Sequence, residues 1–162
     1  MIEEYLSLAD RIRQELDNLL RVVKRADHAM DAARRQTEDQ DLFVDSAALN
    51  LHDFYAGLER IFHQIATTVD GHIPAGTGWH RNLLNQMQVE VTDLRPPVLS
   101  EEAVQTLDEF LRFRHVVRNV YAFRFDPERV KRLVDIMQPT LEQIQTERME
   151  FVSFLEQVGR DG

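Results

Sequence analysis

Residues 2–33, IEEYLSLADRIRQELDNLLRVVKRADHAMDAA, set Ile2, Tyr5, Ala9, Ile12, Leu16, Leu19, Val23, Ala26, Met30 and Ala33 at alternating spacings of three and four. That rhythm marks one face of an α-helix. Sustained over about five heptads, it is also the seam along which a helix lies on a partner. A helix of about 35 residues measures roughly 50 Å, more than a compact chain of 162 residues needs. It therefore calls for an equally long element beside it.

The next segment supplies one. Val44, Ala47, Leu51, Phe54, Leu58, Ile61 and Ile65 repeat the spacing, and Ala48, Tyr55, Phe62 and Val69 widen the apolar face. Asp39 or Asp41 is expected to cap this second helix, and Asp70-Gly71 to end it. His72, Pro74, Gly76 and Gly78 then hold the chain in a loop. A short helix is expected over residues 79–92, with Leu83, Leu84, Met87 and Val91 facing inward and Trp79 anchoring the loop. Arg95-Pro96-Pro97 reads as a rigid spacer. Ser100-Glu101-Glu102 opens a fourth helix, capped and acidic in its first turn, expected to reach Phe123. Asp126-Pro127-Glu128 opens the last, whose seam is Val134, Met137, Leu141, Ile144, Phe151, Leu155 and Val158. Pro139 predicts a kink or restart near Gln138. With no strand pattern, internal repeat or glycine-rich phosphate loop, the expected fold is all-α. It is an up-and-down bundle of about five helices, with a long antiparallel helix hairpin, in one domain over residues 1–162.

There is no cysteine, so neither disulfides nor thiolate metal sites are available. The chain starts Met1-Ile2-Glu3-Glu4, unlike a signal peptide, and lacks an apolar run of membrane-span length. A cytoplasmic protein without membrane contact is expected. The net charge of −9 disfavours a nucleic-acid binder that uses its whole surface. Yet residues 112–132 carry seven basic residues against two acidic ones, a net +5. That segment either holds a phosphate or pairs with acidic helices around it.

The heaviest polar load falls on Phe113-Arg114-His115-Val116-Val117-Arg118-Asn119-Val120-Tyr121. On a straight helix Phe110, Phe113, Val116, Val117 and Val120 form the core face. Arg114, Arg118 and Tyr121 fall within about 60° on one flank, and Arg112, His115 and Asn119 on the other side. Arg114 and Asn119 are then about 140° apart. A joint site requires the helix end to unwind, or a second copy of the chain across a two-fold axis. Simpler uses exist for each group: ion pairs for the arginines, a wet core edge for Tyr121. On the second helix, His52, Glu59 and His63 share a stripe. They lack the repeated Glu-x-x-His pattern of bundle metal sites, so a Glu59–His63 pair is expected and no metal; the alternative is that they support the motif residues from behind.

The segment resembles the signature of HEPN-domain proteins of the HepT-like ribonuclease toxin type: arginine, four residues, histidine, one residue, tyrosine. It reads here as Arg114, His115-Val116-Val117-Arg118, Asn119, Val120, Tyr121. Gly78-Trp79-His80-Arg81, Arg95-Pro96-Pro97-Val98-Leu99-Ser100 and Phe113-Arg114-His115 extend the likeness over the central and C-terminal two thirds. The resemblance implies a homodimer in which the motif helices meet and a metal-independent endoribonuclease that needs no cofactor. It implies a partner, a minimal nucleotidyltransferase antitoxin that silences the toxin by transferring AMP to the motif tyrosine. Arg114 would stabilise charge on the scissile phosphate, Arg118 and Arg112 would hold RNA, and Tyr121 would accept AMP. The family's histidine position is held by Asn119, which cannot transfer a proton. His115, one turn earlier on the same stripe, is the substitute for proton transfer, with Asn119 left to orient the phosphate. The alternative is a HEPN-type protein without catalysis that binds a nucleotide or the nucleotidyltransferase.

Overall fold

A computed structural model describes residues 2–121 and 124–161. Among these, the chain forms five α-helices: α1 (Ile2–Arg35), α2 (Gln40–Ile65), α3 (Trp79–Gln86), α4 (Glu101–Asn119) and α5 (Pro127–Asp161). A turn of π-helix, Ala66–Asp70, extends α2. The described residues include no strand, only an isolated Val91–Arg95 bridge. None of these helices is long and apolar enough to cross a membrane.

The heptad seam of α1 is covered from Tyr5 onward, while Ile2, its first expected position, is 38% exposed. Tyr5, Ala9, Ile12, Leu16, Leu19, Val23, Ala26, Met30 and Ala33 are all buried, chiefly against α2 and next against α5. At Gly57 the two helices close up: a Cβ there would lie 2.6 Å from Cδ2 of Leu19. The wider face of α2 faces α1 on one side and α4 on the other. Phe54 and Tyr55 are fully buried there, and Phe54 packs on Phe110 with ring centroids 5.1 Å apart.

Helix ends depart from the sequence reading in several places. Asp39 sits at the start of α2, but in the left-handed region (φ 60°) and without a side-chain cap bond, while Asp41 lies inside the helix. The end of α2 widens into the π turn before Gly71 closes it at φ 68°. The third helix stops at Gln86, short of Thr92, and Val91 is only half-buried. The last helix runs unbroken through Pro139. Val158, expected in its seam, is 39% exposed. The caps of α4 and α5 form as expected. The Ser100 hydroxyl accepts from the Ala103 amide at 3.1 Å, and Asp126 Oδ1 accepts from the Glu128 amide at 3.1 Å.

Arg95 is a buried clamp rather than a spacer. Its guanidinium faces the Asp70 carboxylate squarely, Nε to Oδ1 at 2.5 Å and Nη2 to Oδ2 at 2.8 Å. It also donates to the carbonyls of Gln86, Val89 and Pro96. This one side chain ties the end of α2 to the stretch after α3 and so holds α3 in place.

Candidate functional site

The fourth helix was expected to reach Phe123, and it ends four residues earlier. Val120 is already extended at φ −129° and ψ 158°; Ala122 and Phe123 lie outside the described residues. Asparagine favours such an end because its short amide competes for local backbone groups. Asn119 Nδ2 donates to the His115 carbonyl at 2.7 Å and stands 3.3 Å from His115 Nδ1. Burial agrees with the early stop. Phe110 and Phe113 are buried, Val116 and Val117 are half-buried, and Val120 is 42% exposed. The core face thus fades toward the motif, so Val120 is not a core residue. Tyr121 stands outside the helix, 74% exposed. It does not share a helical flank with Arg114 and Arg118.

The end of α4 and the start of α3 enclose a groove of about 740 Å³. Arg114, His115, Arg118 and Asn119 line it on one side and His80 and Arg81 on the other. The two stripes of the straight-helix projection thus open onto one groove. Its breadth, with α3 as the second wall, brings them together within a single chain.

The basic segment divides into paired and open groups. Arg112 and Arg81 both pair with Asp108, the former at 3.2 Å. Arg132 pairs with Glu109 at 2.7 Å, and the Arg129 guanidinium lies 5.4 Å above the Phe113 ring. Arg118 is exposed and has no ion-pair partner among the described residues. Its charge is therefore the groove's most available cation.

Glu59 does not line the groove but stands behind two residues that do, His80 and Arg114, the place near the motif that was the alternative to a His63 pair. It is 7% exposed. Its Oε2 lies 2.7 Å from His80 Nδ1, and its Oε1 lies 3.7 Å from Arg114 Nη2. The expected Glu59–His63 pair does not form. A signal existed: Glu59 follows Tyr55 by four residues and precedes Phe62 by three, so it sits on the apolar stripe itself. A carboxylate in that place must find cations. Around it, the Tyr55 hydroxyl and Arg114 Nε are buried and bond to no protein group among the described residues. Burial, and then the Glu59 carboxylate, push the Tyr55 phenol well above its ordinary range, while Arg114 and Arg81 pull the other way. The His80 ring is stacked on Trp79 with centroids 3.6 Å apart. Among the described residues, no group of three or more histidine, aspartate or glutamate side chains is placed to hold a metal ion.

Such a groove can hold an anion between guanidinium groups and offer it an amide and two imidazoles. A family model of HepT-like proteins matches residues 46–155, a span that includes Glu59, all of α3 and both walls of the groove. No curated protein and no solved structure matches the chain.

Proposed function

The chain belongs to the HepT-like family, and from that premise we propose that it is the ribonuclease toxin of a toxin–antitoxin pair. The single observation that carries this reading is the groove: Arg114, His115, Arg118 and Asn119 open onto one space. Arg114, only 11% exposed at its side chain and braced by Glu59, stabilises charge on a scissile phosphate. Arg118 holds the flanking RNA backbone, and Arg112, paired with Asp108, adds little to that hold. His115 handles a proton and Asn119 orients the phosphate. The chain works as a homodimer with its motif helices adjacent, which would cover Val120, 42% exposed just past the end of α4.

A minimal nucleotidyltransferase silences the toxin at Tyr121. The phenolic oxygen attacks the α-phosphorus of ATP, the new bond joins oxygen to AMP, pyrophosphate leaves, and the phenolic proton passes to a base on the transferase. The exposure of Tyr121 outside the helix supports this role. So does its place in the chain two residues after Asn119, which lines the groove: an added AMP would bring negative charge near Arg118 and obstruct RNA.

One observation favours the binding-only alternative. The Asn119 amide is spent on the turn before it, which is the use of a helix-ending residue rather than of a reactive one.

Expression of the chain alone in a bacterial host tests the choice. Growth arrest, relieved by Arg114→Ala and by co-expressing a minimal nucleotidyltransferase, is the expected result. Unimpaired growth together with failure of the purified protein to cleave tRNA without metal leaves the binding-only reading.

A further inference from the structure

We propose that His80, held by the buried Glu59 carboxylate, is the groove's proton acceptor, with His115 on the opposite wall as its proton donor. This assignment rests on the ribonuclease reading above. Cleavage of RNA through its own 2′-hydroxyl needs one group to take the hydroxyl proton and another to protonate the departing oxygen. The motif supplies Asn119 and His115, and asparagine transfers no proton. One imidazole is missing from the motif, and α3 contributes it.

Three observations single out His80. Its Nδ1 is 2.7 Å from Glu59 Oε2, so the carboxylate holds the proton on Nδ1 and leaves the Nε2 lone pair to accept one. This is the arrangement in which a carboxylate orients a histidine base. Stacking on Trp79 at 3.6 Å fixes the plane of the ring. At 31% exposure its side chain is open to a ligand, whereas Glu59 behind it, at 10%, is not. The other oxygen of the same carboxylate faces Arg114 at 3.7 Å. A single buried group therefore sets both the phosphate-binding guanidinium and the base, which Asn119 in the motif position could not do. The charged neighbours that line the groove with His80 are Arg81 from its own helix, Arg112, Arg114, His115 and Arg118 from α4, and Arg129 from α5. Across the groove, the His115 Nδ1 faces Asn119, and its Nε2 has no partner among the described residues.

In the step itself, His80 Nε2 takes the 2′-hydroxyl proton while the 2′-oxygen bonds phosphorus and the bond from phosphorus to the 5′-oxygen breaks. Protonated His115 gives its proton to that leaving oxygen. The products are a 2′,3′-cyclic phosphate and a 5′-hydroxyl, and solvent resets both imidazoles. Glu59 is a positioning residue and touches no substrate.

The test is cleavage of unfractionated tRNA by the purified full-length chain, in chelator, from pH 5 to 9. Wild type is compared with His80→Gln, Glu59→Gln and Arg114→Ala, with tRNA affinity and thermal unfolding measured for each. Glutamine at position 80 keeps an N–H for Glu59 and so preserves the partner of the buried carboxylate. His80→Gln is expected to lose on the order of 10²–10⁴ in rate, to lose the rise of rate with pH on the acidic limb, and to bind tRNA as wild type does. Glu59→Gln, which keeps an acceptor for His80 but not the charge, is expected to lose less. If His80→Gln lowers thermal stability, His80→Gly with added imidazole gives an independent reading: recovered cleavage supports the assignment and no recovery overturns it. Wild-type rate and pH profile in His80→Gln, beside an inactive Arg114→Ala, overturns the assignment and leaves the ribonuclease standing. A wild-type chain that cleaves no tRNA overturns both.

Discussion

At the scale of single residues, the packing behind the groove is held at a cost to stability. The Tyr55 hydroxyl is fully buried beside Glu59 and bonds to no protein group among the described residues. A buried hydroxyl without a partner costs about 1–3 kcal/mol. Phenylalanine would keep the ring in its place and remove the penalty. Tyr55→Phe is therefore expected to stabilise the protein by about 1 kcal/mol in urea unfolding; a loss of stability instead would show that the hydroxyl is bonded in solution. Arg114, His115, Arg118 and Asn119 were legible in the sequence because their spacing carries a motif. Glu59 and His80 were not, because a motif records neighbours along the chain, and these two meet across 21 positions. What the sequence did carry was a carboxylate on an apolar stripe, a contradiction that only a buried cation or imidazole resolves.

At the scale of elements, long regular spacing was easy to read and ends were not. The seam of α1 fixed its length because its apolar positions from Tyr5 to Ala33, once helical, have to be covered, and they are. The end of α4 depended on balance: a fading core face and the local bonding of Asn119 together outweigh the helix propensity of the residues that follow. Pro139 failed to break α5, since the packing of Val134, Met137 and Leu141 on either side holds the helix through one missing bond. The position of α3 rests on Arg95, whose neighbours are distant in sequence. Removing one partner of a buried pair leaves the other charged and unpaired, which costs about 3–5 kcal/mol. Arg95→Ala is expected to lose that much in urea unfolding, and to release α3 so that its amides exchange faster than those of α1 and α2. Equal protection of α3 in the variant would mean that the hydrophobic contacts of Leu83 and Leu84 suffice to seat it.

At the scale of the whole molecule, the ribonuclease reading requires RNA to approach against the charge distribution. A body of net −9 repels a polyanion over most of its surface, and the groove opposes that with Arg114 and with Arg118, which has no ion-pair partner among the described residues. Arg112 and Arg81 are largely neutralised by Asp108. Binding then rests on few phosphate contacts, and each releases counterions in proportion to the charge it meets. With two such contacts, the logarithm of tRNA affinity should fall against the logarithm of salt with a slope of about −1.4 for single-stranded segments. Arg118→Ala should reduce that slope to about −0.7 and weaken binding evenly across RNA sequences, because a phosphate contact carries no base information. Fluorescence anisotropy across a salt series measures both. A slope unchanged in Arg118→Ala would place the RNA on another surface. An AMP group on Tyr121 should act in the same direction as the arginine substitution: its phosphate would neutralise Arg118 from within, so the modified protein and the Arg118→Ala variant are expected to share one salt dependence.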